Sequence, residues 1–111
     1  MKTITEKNGR EVQEIKRTRR PSHPGALLKS IAEELGLNQG EVANILRVER
    51  RTVNELMNEK RGVSPEMALR LTRAFGSTAD TWLSLQMDID IWDAEHSDKM
   101  AEIDQIERVA A

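Results

Sequence analysis

The chain contains no cysteine, which excludes disulfides, thiolate metal sites and a cysteine nucleophile. Three of its 111 residues are aromatic, Phe75, Trp82 and Trp92, so a core has to be built mainly from Leu, Ile, Val, Met and Ala. Apolar runs extend only a few residues, and the first residues lack the apolar stretch of a signal peptide. A cytoplasmic protein of one domain, with no membrane span, is therefore expected. The two histidines, His23 and His96, lie far apart in sequence, and no carboxylate pair has a metal or acid–base context. Asp88, Asp90 and Asp93 cluster, but on a helix they do not converge as a calcium loop does. No catalytic residue, metal site or cofactor is expected, and the chain does not look like an enzyme.

A net charge of −2 hides a gradient. Residues 1–30 hold eight Lys/Arg against three Glu, residues 31–75 hold seven of each sign, and residues 76–111 hold two against nine Asp/Glu. Such asymmetry suits a basic surface for phosphates and an acidic one for a basic partner, or else two solvated tails.

Residues 1–21 have weak periodicity and end near "KRTRRP", so they are expected to form a flexible or marginally ordered basic arm. Five helical segments follow over 22–94. Ser22 or His23 caps the first, Pro24 suits its first turn, and Leu27, Leu28, Ile31 and Leu35 line a face up to Gly36. Asn38 and Glu41 form a capping box for the second, with Val42, Ala43, Ile45 and Leu46 inward. The third spans roughly 50–58, and the "EKRGVS" loop follows, where Gly62 is expected to take a positive φ. Ser64-Pro65-Glu66 starts the fourth, with Met67, Ala68, Leu71, Ala74 and Phe75 inward. The fifth begins near Thr78 and carries Trp82, Leu85, Ile89 and Trp92 on one stripe, with Leu83 and Met87 on a second edge. That second edge exceeds what one small core needs and suggests a partner surface. The acidic extension 95–111 is expected to continue as a short amphipathic helix through Met100, Ile103 and Ile106. No segment alternates convincingly, so the class is all-α.

The third helix, "RVERRTVNELMNEKRG", is the most informative stretch. On a helical wheel Val53, Leu56 and Met57 share one edge, while Arg51, Asn54, Glu55 and Asn58, flanked by Arg50, share the other. Two short helices with a tight connection raise the helix-turn-helix, a DNA-binding arrangement. Counting from residue 39, that unit requires a small fifth residue, here Ala43. It also requires apolar residues at five further positions, here Val42, Leu46, Val48, Val53 and Leu56. The ninth residue, in a left-handed conformation, usually is glycine but here is Arg47, which adopts it at roughly 1 kcal/mol.

From His23 to about Ala94 the chain resembles the HigA/VapI-type antitoxins of the lambda-repressor-like (XRE) family. The stretches that carry the likeness are "HPGALLKSIAEELGLNQGEVA", "RRTVNELMNEKRGVSPEMALRLTRAFGST" and "TWLSLQMDIDIWDAE". The resemblance implies a five-helix lambda-repressor-like domain, a homodimer, a palindromic double-stranded operator and a HigB toxin as partner, a RelE-like ribonuclease that cuts mRNA. Arg47 and Glu49 depart from the family's usual glycine and serine. In this docking mode the start of the groove helix reaches base edges in the major groove. Arg50 and Arg51 suit guanine, Asn54 adenine and Glu55 a cytosine amine, and Asn58 completes the base-reading set. Gln39 resembles the family's phosphate-gripping glutamine, and Thr52, Lys60 and Arg61 join it as phosphate contacts. Trp82, Leu83, Leu85, Met87, Ile89 and Trp92 are the expected core and dimer contact of the fifth helix. The basic arm has three open uses: the minor groove, phosphates or toxin. The alternative reading is a stand-alone XRE repressor that acts at the nucleoid without a toxin. A third, a protein-interaction domain on the same scaffold, predicts indifference to Arg51→Ala.

Overall fold

The computed structural model describes residues 2–5 and 11–14, as backbone, and residues 19–110. Its first helix, α1 (Pro24–Leu35), is started by three adjacent residues acting in different ways. His23 Nδ1 accepts the Gly25 N–H at 2.9 Å, and Pro24 sits where a missing N–H costs nothing. At Gly25 a Cβ would collide with the backbone carbonyl of Leu56, so glycine is what lets the start of α1 approach the end of the third helix.

Helix α2 (Gln39–Leu46) opens on the complete Asn38–Glu41 capping box. Arg47 ends it in the left-handed region, φ 58° and ψ 48°, and the Val48 N–H returns to Ala43 O at 3.0 Å. Helix α3 (Arg50–Met57) starts at Glu49, whose side chain makes no capping bond. Ser64 caps α4 (Pro65–Phe75) and Thr78 caps α5 (Ala79–Glu95). Leu28, Ala32, Val42, Ala43, Leu46, Val53, Leu56, Val63, Met67, Ala68, Leu71 and Trp82 form one continuous buried cluster, with Val48, Met57 and Leu83 packed against it. All five apolar positions that the helix-turn-helix requires lie in or against this cluster.

The helical domain is all-α, as expected, but several details differ. Leu27 and Leu35 on α1, Ile45 on α2 and Ala74 on α4 are exposed, not inward. Each lies beside the buried stripe, where a wide apolar face overreaches the narrow part that actually meets the core. The left-handed residue after α3 is Glu59 (φ 60°) and not Gly62. Gly62 is constrained by space instead, because a Cβ there would meet the Gln86 side chain at 3.0 Å. The tail does not continue α5. After His96 the chain breaks and resumes as one turn, α6 (Met100–Ile103), with Ile106 exposed beyond it.

Within the arm, β1 (Lys2–Thr5) pairs antiparallel with β2 (Glu11–Glu14), in a register that sets Ile4 opposite Val12 and Lys2 opposite Glu14. Four-residue strands are too short for alternation to be legible, and β-branched Thr3, Ile4, Thr5 and Val12 favour extended backbone. The remaining positions expected to be flexible, 6–10 and 15–18, lie outside the described residues.

Candidate nucleic-acid interface

Helix α3 buries Val53 and Leu56 and half-buries Met57, so its opposite edge must face outward. Arg50, Arg51 and Asn54 are exposed on that edge. The two arginines occupy the first positions of the helix, where the backbone dipole favours anions. Their placement works against the helix's own electrostatics, and the buried strip holds α3 in place instead.

The outward residues are organised by bonds to neighbouring elements. Asn54 Nδ2 donates to Gln39 Oε1 at 3.1 Å, joining α3 to the first residue of α2, and Gln39 Nε2 lies 3.8 Å from Met57 Sδ. Glu55 accepts from Arg51 Nε at 3.1 Å and from Arg61 Nη2 at 2.8 Å. The two guanidiniums, Arg61 more than Arg51, hold its carboxyl below the usual carboxylate range. Gln39, Arg51, Asn54, Glu55 and Arg61 are therefore brought to one surface. Arg50 and Lys60 stand exposed beside them, their side chains without a bonded partner among the described residues. Thr52 is half-buried, and Asn58 caps the far end of α3, most distant from the helix start.

Two arginines stabilise this surface in ways the sequence did not signal: Arg70, which it passed over, and Arg20, which it placed in the basic arm. Arg70 on α4 donates from Nη1 to Leu46 O at 2.8 Å and Arg47 O at 3.3 Å, satisfying the last carbonyls of α2 at the turn. Arg20, just before α1, grips Asp93 through Nε and Nη2 at 2.9 and 3.0 Å, and Glu59 through Nη1 at 2.7 Å. Asp93 is held below its ordinary pKa chiefly by that bond. No local pattern signals either contact, since the partners are 23 or more residues away.

On α5, Trp82 and Ile89 are each 1% exposed and belong to the core, which leaves them no surface for the dimer contact expected of them. Leu83 and Leu85 are half-buried, and Trp92, also half-buried, stacks on His96 with centroids 3.9 Å apart. Met87 is 59% exposed, and Ile91, which the sequence reading passed over, is 50% exposed. Leu83, Met87, Ile91 and Ala94 line one shallow apolar depression, at successive spacings of four, four and three, a helical period that picks out Ile91. Asp90 accepts from Gln86 Nε2, whose Oε1 accepts the Val63 N–H and ties the loop after α3 to α5. No group of metal-binding side chains occurs among the described residues, and none of their helices is long and apolar enough to cross a membrane.

Residues 28–82 match the helix-turn-helix family HTH_3. The chain is 41% identical over 95 residues to YbaQ of Escherichia coli K12, an uncharacterized HTH-type transcriptional regulator, covering 84% of each chain. It is 34% identical over 82 residues to antitoxin HigA-1 of Vibrio cholerae, covering 73% of this chain and 77% of that one. The antitoxin HigA of Pseudomonas aeruginosa, solved with the higBA promoter, superposes with a TM-score of 0.75 at 33% identity, over 82% of this chain and all of the other.

Proposed function

The chain belongs to the HigA-type antitoxins of the XRE helix-turn-helix family, regulators and not enzymes, and on that premise we propose that it represses its own operon and neutralises a HigB-like toxin. The observation that carries the DNA half is the outward edge of α3, where Arg50, Arg51 and Asn54 stand exposed at the start of a helix whose other edge is buried. In the major groove Arg51 forks onto guanine O6 and N7, Arg50 takes a second guanine or a phosphate, and Asn54 pairs with adenine. Gln39, Thr52, Lys60 and Arg61 grip the phosphates on either side, so affinity falls steeply with salt. Asn58, at the far end of α3, reads only the margin of the site.

One domain covers one half-site. The strip of exposed Met87 and Ile91 with half-buried Leu83 is the proposed contact between two copies, while Leu85 and Trp92 lie on another side of α5 and do not line it. A dimer so formed sets its groove helices about 34–36 Å apart, matching a palindrome with one helical turn between half-site centres. The toxin, a RelE-like mRNA-cutting enzyme with a basic surface, suits the acidic residues of the last third of the chain. The protein then works in the cytoplasm, at the nucleoid when bound to its operator.

The test is co-expression with the small open reading frame beside its gene. Growth arrest by the neighbour alone, relieved by this protein in a complex that co-purifies, supports the antitoxin. An innocuous neighbour and no complex would leave the stand-alone repressor, a reading that the regulator names of relatives such as YbaQ favour.

A further inference from the structure

Three of the roughly four acceptor positions of the Glu55 carboxylate are taken. Oε1 accepts from Arg61 Nη2 at 2.8 Å and from Arg61 Nε at 3.1 Å, while Oε2 accepts from Arg51 Nε at 3.1 Å. To accept a hydrogen bond from a cytosine amine, it has only the remaining lone pair of Oε2, beside Arg51 Nε, in competition with these charge-assisted bonds. Arg51 is in the opposite condition. Its side chain is 83% exposed, and Nε is its one bonded nitrogen among the described residues. Both Nη groups remain as a free fork.

Helix stability is a weak account of this pairing. An ion pair four residues apart stabilises less when the base precedes the acid, as Arg51 precedes Glu55. Arg51 also stands at the helix start, against the dipole. What the pair does achieve is geometric. An unheld arginine must surrender many rotamers on docking, and a bond at Nε removes most of them before the ligand arrives.

We propose that Glu55 is a positioning residue that reads no base: it holds Arg51 by Nε so that the two Nη groups meet a guanine. Arg61 completes the device by offsetting the carboxylate's charge, which otherwise would repel the phosphates. This rests on the reading of α3 as a groove helix and of Arg51 as a base reader.

The experiment compares the full chain with Arg51→Ala, Glu55→Gln, Glu55→Ala and the double variant Arg51→Ala/Glu55→Ala, each shown folded by thermal melting. The probes are a duplex selected by the wild type from a random-sequence pool, the same duplex with each base pair replaced in turn, and an unrelated duplex. Arg51→Ala identifies its guanine as the position where preference is lost. Both Glu55 variants then lose about tenfold in preference at that same guanine, yet bind unrelated DNA as well as the wild type or better. In the double variant, Glu55→Ala adds less than about twofold. Relaxed preference at a different base pair, multiplicative losses in the double variant, or full preference in Glu55→Gln would each overturn the assignment. If Arg51→Ala changes nothing, the groove reading of α3 itself fails and the role of Glu55 falls with it.

Discussion

Helices α3 and α5 press one edge each against the same core and treat the other edge in contrary ways. The outer edge of α3 carries guanidiniums, amides and a carboxylate, several tied by hydrogen bonds to α2 and to the following loop. The outer edge of α5 carries Leu83, Met87 and Ile91 with little polar cover. The first arrangement is unfavourable for a helix alone, with two cations at its start and no side-chain cap. The second is unfavourable for a protein alone, since it leaves aliphatic surface in water. Each disadvantage disappears with a particular kind of partner, a polyanion for α3 and a second apolar surface for α5. Exposure of the wrong chemistry is thus the common sign of both proposed surfaces.

The contrast is broken most severely from beneath. Leu56→Ala opens a cavity under α3, beside the Gly25 contact with α1, and is expected to destabilise the fold by about 2–5 kcal/mol in urea titration. Both surfaces then fail together. Arg51→Ala separates them: operator affinity falls by about 1–3 kcal/mol in fluorescence anisotropy, while melting temperature, dimer mass and toxin rescue stay unchanged. Loss of rescue in that folded variant would show that one surface serves both partners. Met87→Asp is the reciprocal change and is expected to raise the dimer dissociation constant by about tenfold or more in sedimentation equilibrium, with the monomer fold intact. An unaltered dimer would move the contact off this strip.

Two smaller effects concern the frame around α3. Arg47→Gly relieves a left-handed side chain and is expected to add about 0.5–1 kcal/mol to stability, part of the gain being offset by the freer unfolded chain. The smallest is a slope. Burial holds His23 below its ordinary pKa of 6.5, so the folded state favours the neutral ring, and Nδ1 must stay unprotonated to accept from Gly25. Stability is complete above the unfolded value and declines as pH falls through it. Asparagine keeps a capping acceptor without the titration, so His23→Asn should flatten the stability profile between about pH 7.5 and about pH 5.5.

Local features were the legible ones. The caps at His23, Asn38–Glu41, Ser64 and Thr78 involve residues within three positions of one another, and the structure realises each. The turn pattern from Gln39 to Leu56 was readable for the same reason, down to the left-handed Arg47. What depends on the third dimension was not. Residue type alone does not distinguish Leu28, which is buried, from its neighbour Leu27, which is exposed. Trp82 and Ile89, expected to serve core and dimer contact together, are turned wholly inward by the fold. The polar edge of α3 was visible as a face, but its wiring through Gln39 and Arg61, and the support of Arg70 across 24 residues, required coordinates.

The clamp of Arg20 on Asp93 and Glu59 has a consequence for association. It fastens the chain to Glu59, just past the end of α3, so the exposed Arg19 stays one Cα step, about 3.8 Å, from a fixed point. That distance is well inside one Debye length at physiological salt. With DNA docked as proposed above, a cation so leashed would act at a local concentration set by its tether and not by the amount of protein in the cell, roughly millimolar for short tethers. After a groove helix lets go, that charge would still lie within reach of the phosphates, which favours rebinding over escape.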